Sequence, residues 1–164
     1  MVISMKRYIK NKSIFGMSFP RKKALKLISD LADNIDEHIM ECVVYQDMLS
    51  TTSHHWISEL AVWMCKVNRI HCSSKLKERD YIDSLFSAFG TTKEDAELNL
   101  SAYYSRIHRN GYYKDYPDFE ITDELIDSLF EVYTQIKSIC LPILVSGEEK
   151  TIHEWIAILE PIFK

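Results

Sequence analysis

The stretch Tyr103–Tyr116 holds five of the chain's nine tyrosines, interleaved with Arg106, His108, Arg109 and Lys114. Tyrosine and arginine each combine a large contact area with a polar tip, which is why they anchor protein interfaces. The same types stack on unpaired bases and pair with phosphates. Tyr104, Arg106, Arg109, Tyr112, Tyr113, Lys114 and Tyr116 are therefore expected on a partner-binding surface. The plainer alternative is that Tyr103 and Ile107 are core and the cations only favour a helix C-terminus. Asp33, Asp36 and Glu37, with Glu41 beyond them, add carboxylates to the expected surface, and Glu94, Asp95 and Glu97 repeat the pattern further on. Most acidic helix faces are simply solvated. Opposite a basic partner, such a face speeds association and imitates the phosphate path of a nucleic acid.

Metal chemistry needs several ligands aimed at one point, and residues one helical turn apart supply two at a time. His38 with Glu41 or Cys42, and His55 with Glu59, have that spacing, and Cys65, His71 and Cys72 lie close in sequence. The repeated Glu-x-x-His pattern of di-metal helical bundles is absent, and no metal or cofactor is expected. Nor is there a Gly-rich phosphate loop, a G-x-S-x-G elbow or an H-E-x-x-H zinc motif. The Arg followed four to six residues later by His, characteristic of HEPN-type ribonucleases, is missing as well. The chain reads as a binding protein rather than an enzyme.

Charge is distributed unevenly along the 164 residues, whose net charge is −4. Met1–Ser29 carries eight basic residues and no acidic one, leaving twelve basic against 24 acidic residues in the rest, a net of −12. A basic arm (about 1–19) thus precedes an acidic body, a polarity that steers charged partners or is satisfied internally. No signal-like apolar core opens the chain, and the longest apolar run, Ile139–Val145, is broken by Pro142 and is far shorter than the roughly 20 residues that span a bilayer. Cys42, Cys65, Cys72 and Cys140 form no C-x-x-C pair. A cytoplasmic protein with free thiols and no membrane contact is the expectation.

The elements that must position these residues are helical. Four Gly and four Pro are too few for the turns of a sandwich or barrel. A first helix is expected from near Pro20 to between Tyr45 and Leu49, with Ala24, Ile28, Leu31, Ile35, Ile39 and Cys42 as its stripe. Ser50–Ser53 supplies caps for a second, with Trp56, Leu60, Trp63, Val67 and Ile70 on one face that Ile57 and Met64 broaden. Tyr81, Ile82, Leu85, Phe86 and Phe89 mark a third over Lys77–Phe89. A capping box from Thr91 to Glu94 opens a fourth, carried by Ala96, Leu100, Tyr103 and Ile107 as far as Asn110-Gly111. Thr122 opens a fifth, carried by Leu125, Leu129, Val132, Ile136, Ile139 and Ile143, with Pro142 forcing a kink or an end. A second capping box, Thr151 to Glu154, begins a short last helix that stops near Pro161. Trp56, Leu60, Trp63, Leu85, Phe86, Leu129 and Ile136 are expected to be buried.

These features imply an all-α, single-domain bundle of five or six helices spanning residues 1–164. The function expected is a small cytoplasmic protein that binds and inhibits a protein partner, in the manner of an immunity protein or antitoxin covering a basic toxin. The alternative is a nucleic-acid-associated helical protein using the basic arm and the Arg106–Lys114 segment.

Overall fold

Apolar residues recurring at steps of three and four make helix of nearly everything described, residues 19–50, 54–73, 92–109 and 118–163 of the computed structural model. Helix α1 runs Phe19–Leu49, α2 His54–Ser73, α3 Lys93–Arg109, α4 Asp123–Ser146 and α5 Ile152–Leu159, and a 3-10 turn closes at Glu160–Phe163. The fold is an all-α bundle, with no strand among the described residues. The basic arm up to Ser18 and the helix expected over Lys77–Phe89, with Leu85 and Phe86, lie outside the described residues.

The 31-residue α1 is the axis of the packing. It lies most extensively along α2 and also meets α3, α4 and the closing turn, while α2 carries α5 and α3 pairs with α4. Ile35, Ile39, Met40, Leu60, Met64, Leu100, Tyr103, Leu129, Tyr133, Ile136 and Trp155 are buried in the shared core. Burying each such side chain stabilises the fold by about 1.5–3 kcal/mol relative to leaving it in water.

Local signals fix the boundaries. Thr122 Oγ1 accepts the Leu125 amide at 3.1 Å and caps α4. At α5 both halves of the capping box form: Thr151 Oγ1 accepts from the Glu154 amide at 3.1 Å and Glu154 Oε1 from the Thr151 amide at 3.2 Å. At the start of α3, Thr92 Oγ1 accepts from the Asp95 amide at 3.1 Å, while Thr91, where the expected box begins, lies outside the described residues. Gly147 ends α4 in the left-handed region (φ 78°) and returns its N–H to the Leu144 carbonyl.

Two stripes are rotated from their expected positions. In α2 the buried set is Ile57, Leu60, Ala61, Met64, Cys65, Val67, Asn68 and His71. Trp56 and Trp63 flank it half-buried, packed against the core. In α4 the buried series after Ile136 continues through Cys140 and Leu144, leaving Ile139 42% exposed and Ile143 half-buried. The helix also passes through Pro142 instead of ending there; Pro142 is exposed, so water can serve the carbonyl that loses its helical partner. By length and composition alone the 24-residue α4 is apolar enough to cross a membrane, which the interrupted run Ile139–Val145 did not suggest. Eight of its residues are instead buried against neighbouring helices.

The α4–α5 connection is held by α2. Buried Asn68 donates through Nδ2 to the Glu148 carbonyl at 2.9 Å and accepts the Lys150 amide on Oδ1 at 2.8 Å. Cys72 Sγ lies 3.0 Å from the Gly147 carbonyl and Cys65 Sγ 3.6 Å from that of Lys150. Residues 65, 68 and 72 share one face of α2, so a single helix grips four backbone groups on three loop residues.

Candidate functional site

Of the residues expected on the partner surface, Tyr112, Tyr113, Lys114 and Tyr116 lie outside the described residues, and only the backbone of Arg109 is described. Tyr104 is half-buried, its ring 4.2 Å from that of His108 and edge-on to Phe119 at 5.1 Å. Arg106 is also half-buried and lies close enough to Asp36 for its charge to act on that carboxyl. Asp33 is exposed and Glu37 half-buried, so the acidic face of α1 is present only in part. The structure does not bring the three acids together on one outer face.

Asp36 points inward. It continues the i, i+4 series Ala32, Met40 and Val44, all buried, and so is carried to the core side of α1. There Tyr133 of α4, fully buried, donates its hydroxyl to Asp36 Oδ1 at 2.5 Å, and buried Asn99 of α3 donates to the same hydroxyl at 3.2 Å. Three helices are thus joined by one polar chain. Burial pushes the Asp36 carboxyl up to about 7; the Tyr133 hydrogen bond and the Arg106 charge oppose that rise, and Asp33 and Glu37 add to it. Burial likewise holds the Tyr133 phenol well above its ordinary range, with the Asp36 charge adding to the effect.

A second polar cluster occupies the α1–α2 seam, and it unites the two helical pairs noted in the sequence. His38 and Glu41 stand one turn apart on α1, with Glu59 opposite on α2, and one ligand-type atom from each lies within 4.8 Å of the others. His38 Nδ1 lies 2.7 Å from the Asn34 carbonyl, which requires an N–H there and leaves the lone pair on Nε2. The Trp63 indole N–H donates to that Nε2 at 3.2 Å. Glu59 Oε2 lies 3.4 Å from the same nitrogen, and Glu59 Oε1 lies 3.3 Å from Nε2 of His55.

Burial falls along this cluster from inside to outside. Glu41 is 2% exposed, the His38 side chain 16%, Glu59 41% and His55 68%. Around it Trp56 stacks on Tyr45 at 4.4 Å, and Lys66 Nζ sits 4.3 Å from the centre of a Trp63 ring. Burial raises the thiol of neighbouring Cys42, and the charges of Glu41 and Glu59 raise it further, a sign of negative potential at this seam.

Sequence reasoning placed Glu41 on the solvated face and assigned no role to Tyr133, Asn99 or Asn68. Helical spacing did carry a signal for the seam, because His38/Glu41 and His55/Glu59 stand out as ligand pairs; which helices pack together did not follow from spacing. Among known proteins, no family model, no curated protein and no solved structure matches this chain.

Proposed function

We propose that this chain works as a binding protein whose acidic surface receives a basic protein partner. The observation that carries this reading is the paired N-terminal ends of α3 and α4. There Glu94, Glu97, Asp123 and Asp127 line a surface cavity of about 340 Å3 floored by Ile126, with Lys93 held 2.8 Å from Asp127. Leu98, 52% exposed, lies on α3 beside these carboxylates and offers an apolar contact next to the charge. Acids at helix N-termini are favoured by the helix dipole in any protein. Carboxylates from two adjacent helices converging beside an exposed leucine also form a patch that suits Lys or Arg side chains on a partner.

The acidic site moves accordingly from α1, where of Asp33, Asp36 and Glu37 only Asp33 is fully exposed, to α3 and α4. An immunity protein or antitoxin covering a basic toxin in the cytoplasm is the finer form of this proposal, and it rests on the same charge complementarity. The test is a pull-down from the native host, followed by association kinetics of the recovered protein. A Glu94→Lys/Glu97→Lys/Asp127→Lys variant is expected to slow association about tenfold at low salt and much less at high salt. Recovery of nucleic acid in place of protein, or a partner whose association ignores both salt and the triple substitution, would overturn the proposal.

A further inference from the structure

We infer that His38, Glu41 and Glu59 form a binding site for a divalent transition-metal ion of the zinc type, taking Nε2 of the histidine and one oxygen from each carboxylate, with the outward position open. The inference is independent of the acidic patch on α3 and α4.

Geometry is the first support. Ligands about 2.1 Å from a tetrahedral zinc stand about 3.4 Å from one another, and His38 Nε2 and Glu59 Oε2 are 3.4 Å apart. The full triad spans up to 4.8 Å; rotation about the soft terminal torsions of the two glutamates closes that gap without moving a helix. The His38 tautomer is the second support. Its Nδ1–H is tied to the Asn34 carbonyl at 2.7 Å, so the ring orientation and the lone pair on Nε2 are both set by the backbone of α1. Metal-binding histidines characteristically donate their other ring N–H to such an acceptor.

Charge is the third. A lone pair facing a carboxylate oxygen at 3.4 Å, with a nearly inaccessible second carboxylate beside them, places three electron-rich groups around one point. A cation between them, whether a proton on Nε2 or a metal ion, lowers the Coulomb repulsion within this partly dehydrated seam. A proton on Nε2 sets N–H against N–H, because the Trp63 indole donates to that atom. A metal displaces the indole and engages all three acceptors. His55 at 3.3 Å from the other oxygen of Glu59 steadies that carboxylate, and the outward gradient of exposure from Glu41 to His55 gives the ion a route in. One imidazole with two carboxylates suits Zn2+, Co2+ or Mn2+. Mg2+ and Ca2+ prefer all-oxygen shells of six or more ligands.

The experiment uses the full chain stripped with chelator and titrated with Co2+, read by visible absorption and by tryptophan emission, with Zn2+ as competitor and Mg2+ as control. Binding of one equivalent is expected, with a visible band, a change in Trp63 emission, displacement by Zn2+ and no response to Mg2+. His38→Ala, Glu41→Gln and Glu59→Gln are each expected to weaken binding by at least about tenfold. Exposed His153, away from the cluster, serves as the control position, and His153→Ala should bind as the wild type does. Glu59→Gln, half-exposed, should keep its metal-free helicity and melting temperature, so its loss of binding reports the site and not the fold. Absence of saturable Co2+ binding, or binding indifferent to both glutamate substitutions, would overturn the inference; the second result would place the ion on surface histidines.

Discussion

Asp36 and Glu41 sit five residues apart on one helix, and each is drawn towards a different neighbour with a different outcome. Asp36 enters a closed chain in which the buried Tyr133 and Asn99 supply donors from two other helices. Glu41 enters a seam where the neighbouring groups, His38 and Glu59, present acceptors and where exposure increases outward. Asp36, met by a donor, ties three helices together, whereas Glu41, beside two further ligand-type groups, belongs to the proposed cation site. The difference follows from the partner helix, since α1 supplies both acids within two turns.

Removing the closed chain should cost the most. Tyr133→Ala leaves a cavity and strips Asp36 and Asn99 of their shared partner, so urea unfolding should show a loss of about 3–5 kcal/mol. A loss under about 1 kcal/mol would mean that the chain contributes little to docking. The next effect is on pH dependence. Because the Asp36 carboxyl is raised to about 7 in the folded state from 3.8, the folded protein holds more protons than the unfolded one between those values. Stability from this group is therefore fully present at low pH, falls as pH rises through that window, and is flat above it. Relative to Asp36→Asn, which should show no such slope, the fall amounts to at most about 4 kcal/mol. Parallel pH–stability curves for wild type and variant would remove Asp36 from the account.

Smaller effects belong to the open seam. Trp63→Ala should cost about 1–2 kcal/mol, below the 3–5 kcal/mol usual for a core tryptophan, because this ring is half-buried and partly covered by Lys66. Glu59→Gln without metal should stay within about 0.5 kcal/mol of wild type, as expected for a half-exposed position. If Glu59→Gln instead destabilises as strongly as Tyr133→Ala, the two clusters do the same work and the comparison fails.

Helix existence was legible because periodicity and caps are local properties. Thr122 and Thr151 each act where their types indicated, and the α3 stripe Ala96, Leu100, Tyr103 and Ile107 is buried throughout. What failed was rotation about the helix axis. In α2 the bulk of Trp56 and Trp63 drew the expected face towards them, although both are only half-buried, and in α4 Ile139 and Ile143 outweighed Cys140 and Leu144 for the same reason. Side-chain size marks how much area is available to bury, while the facing helix decides which arc is covered. The inward turn of Asp36 and Glu41 was hidden for a related reason. Charge alone assigns a residue to water until a donor or a co-ligand on another helix is known, and Tyr133 and Glu59 are 97 and 18 residues away.

The hydrogen bonds by which Cys65, Asn68 and Cys72 hold the α4–α5 connection reach main-chain atoms only, the carbonyls of Gly147, Glu148 and Lys150 and the amide of Lys150. The exposed side chains of Glu148 and Glu149 take no part in those bonds, and Glu149 adds only a solvent-exposed ion pair with Arg69 of α2 at 3.6 Å. Sequence drift in this loop is therefore tolerated one residue at a time, provided position 147 keeps its left-handed backbone and the loop keeps its length. Asn68 has no such latitude, because aspartate loses the donor, leucine loses both functions, and glutamine moves the amide by a methylene. A peptide segment recognised by shape alone is free to change its composition, and the burden of constancy passes to the residue that reads it.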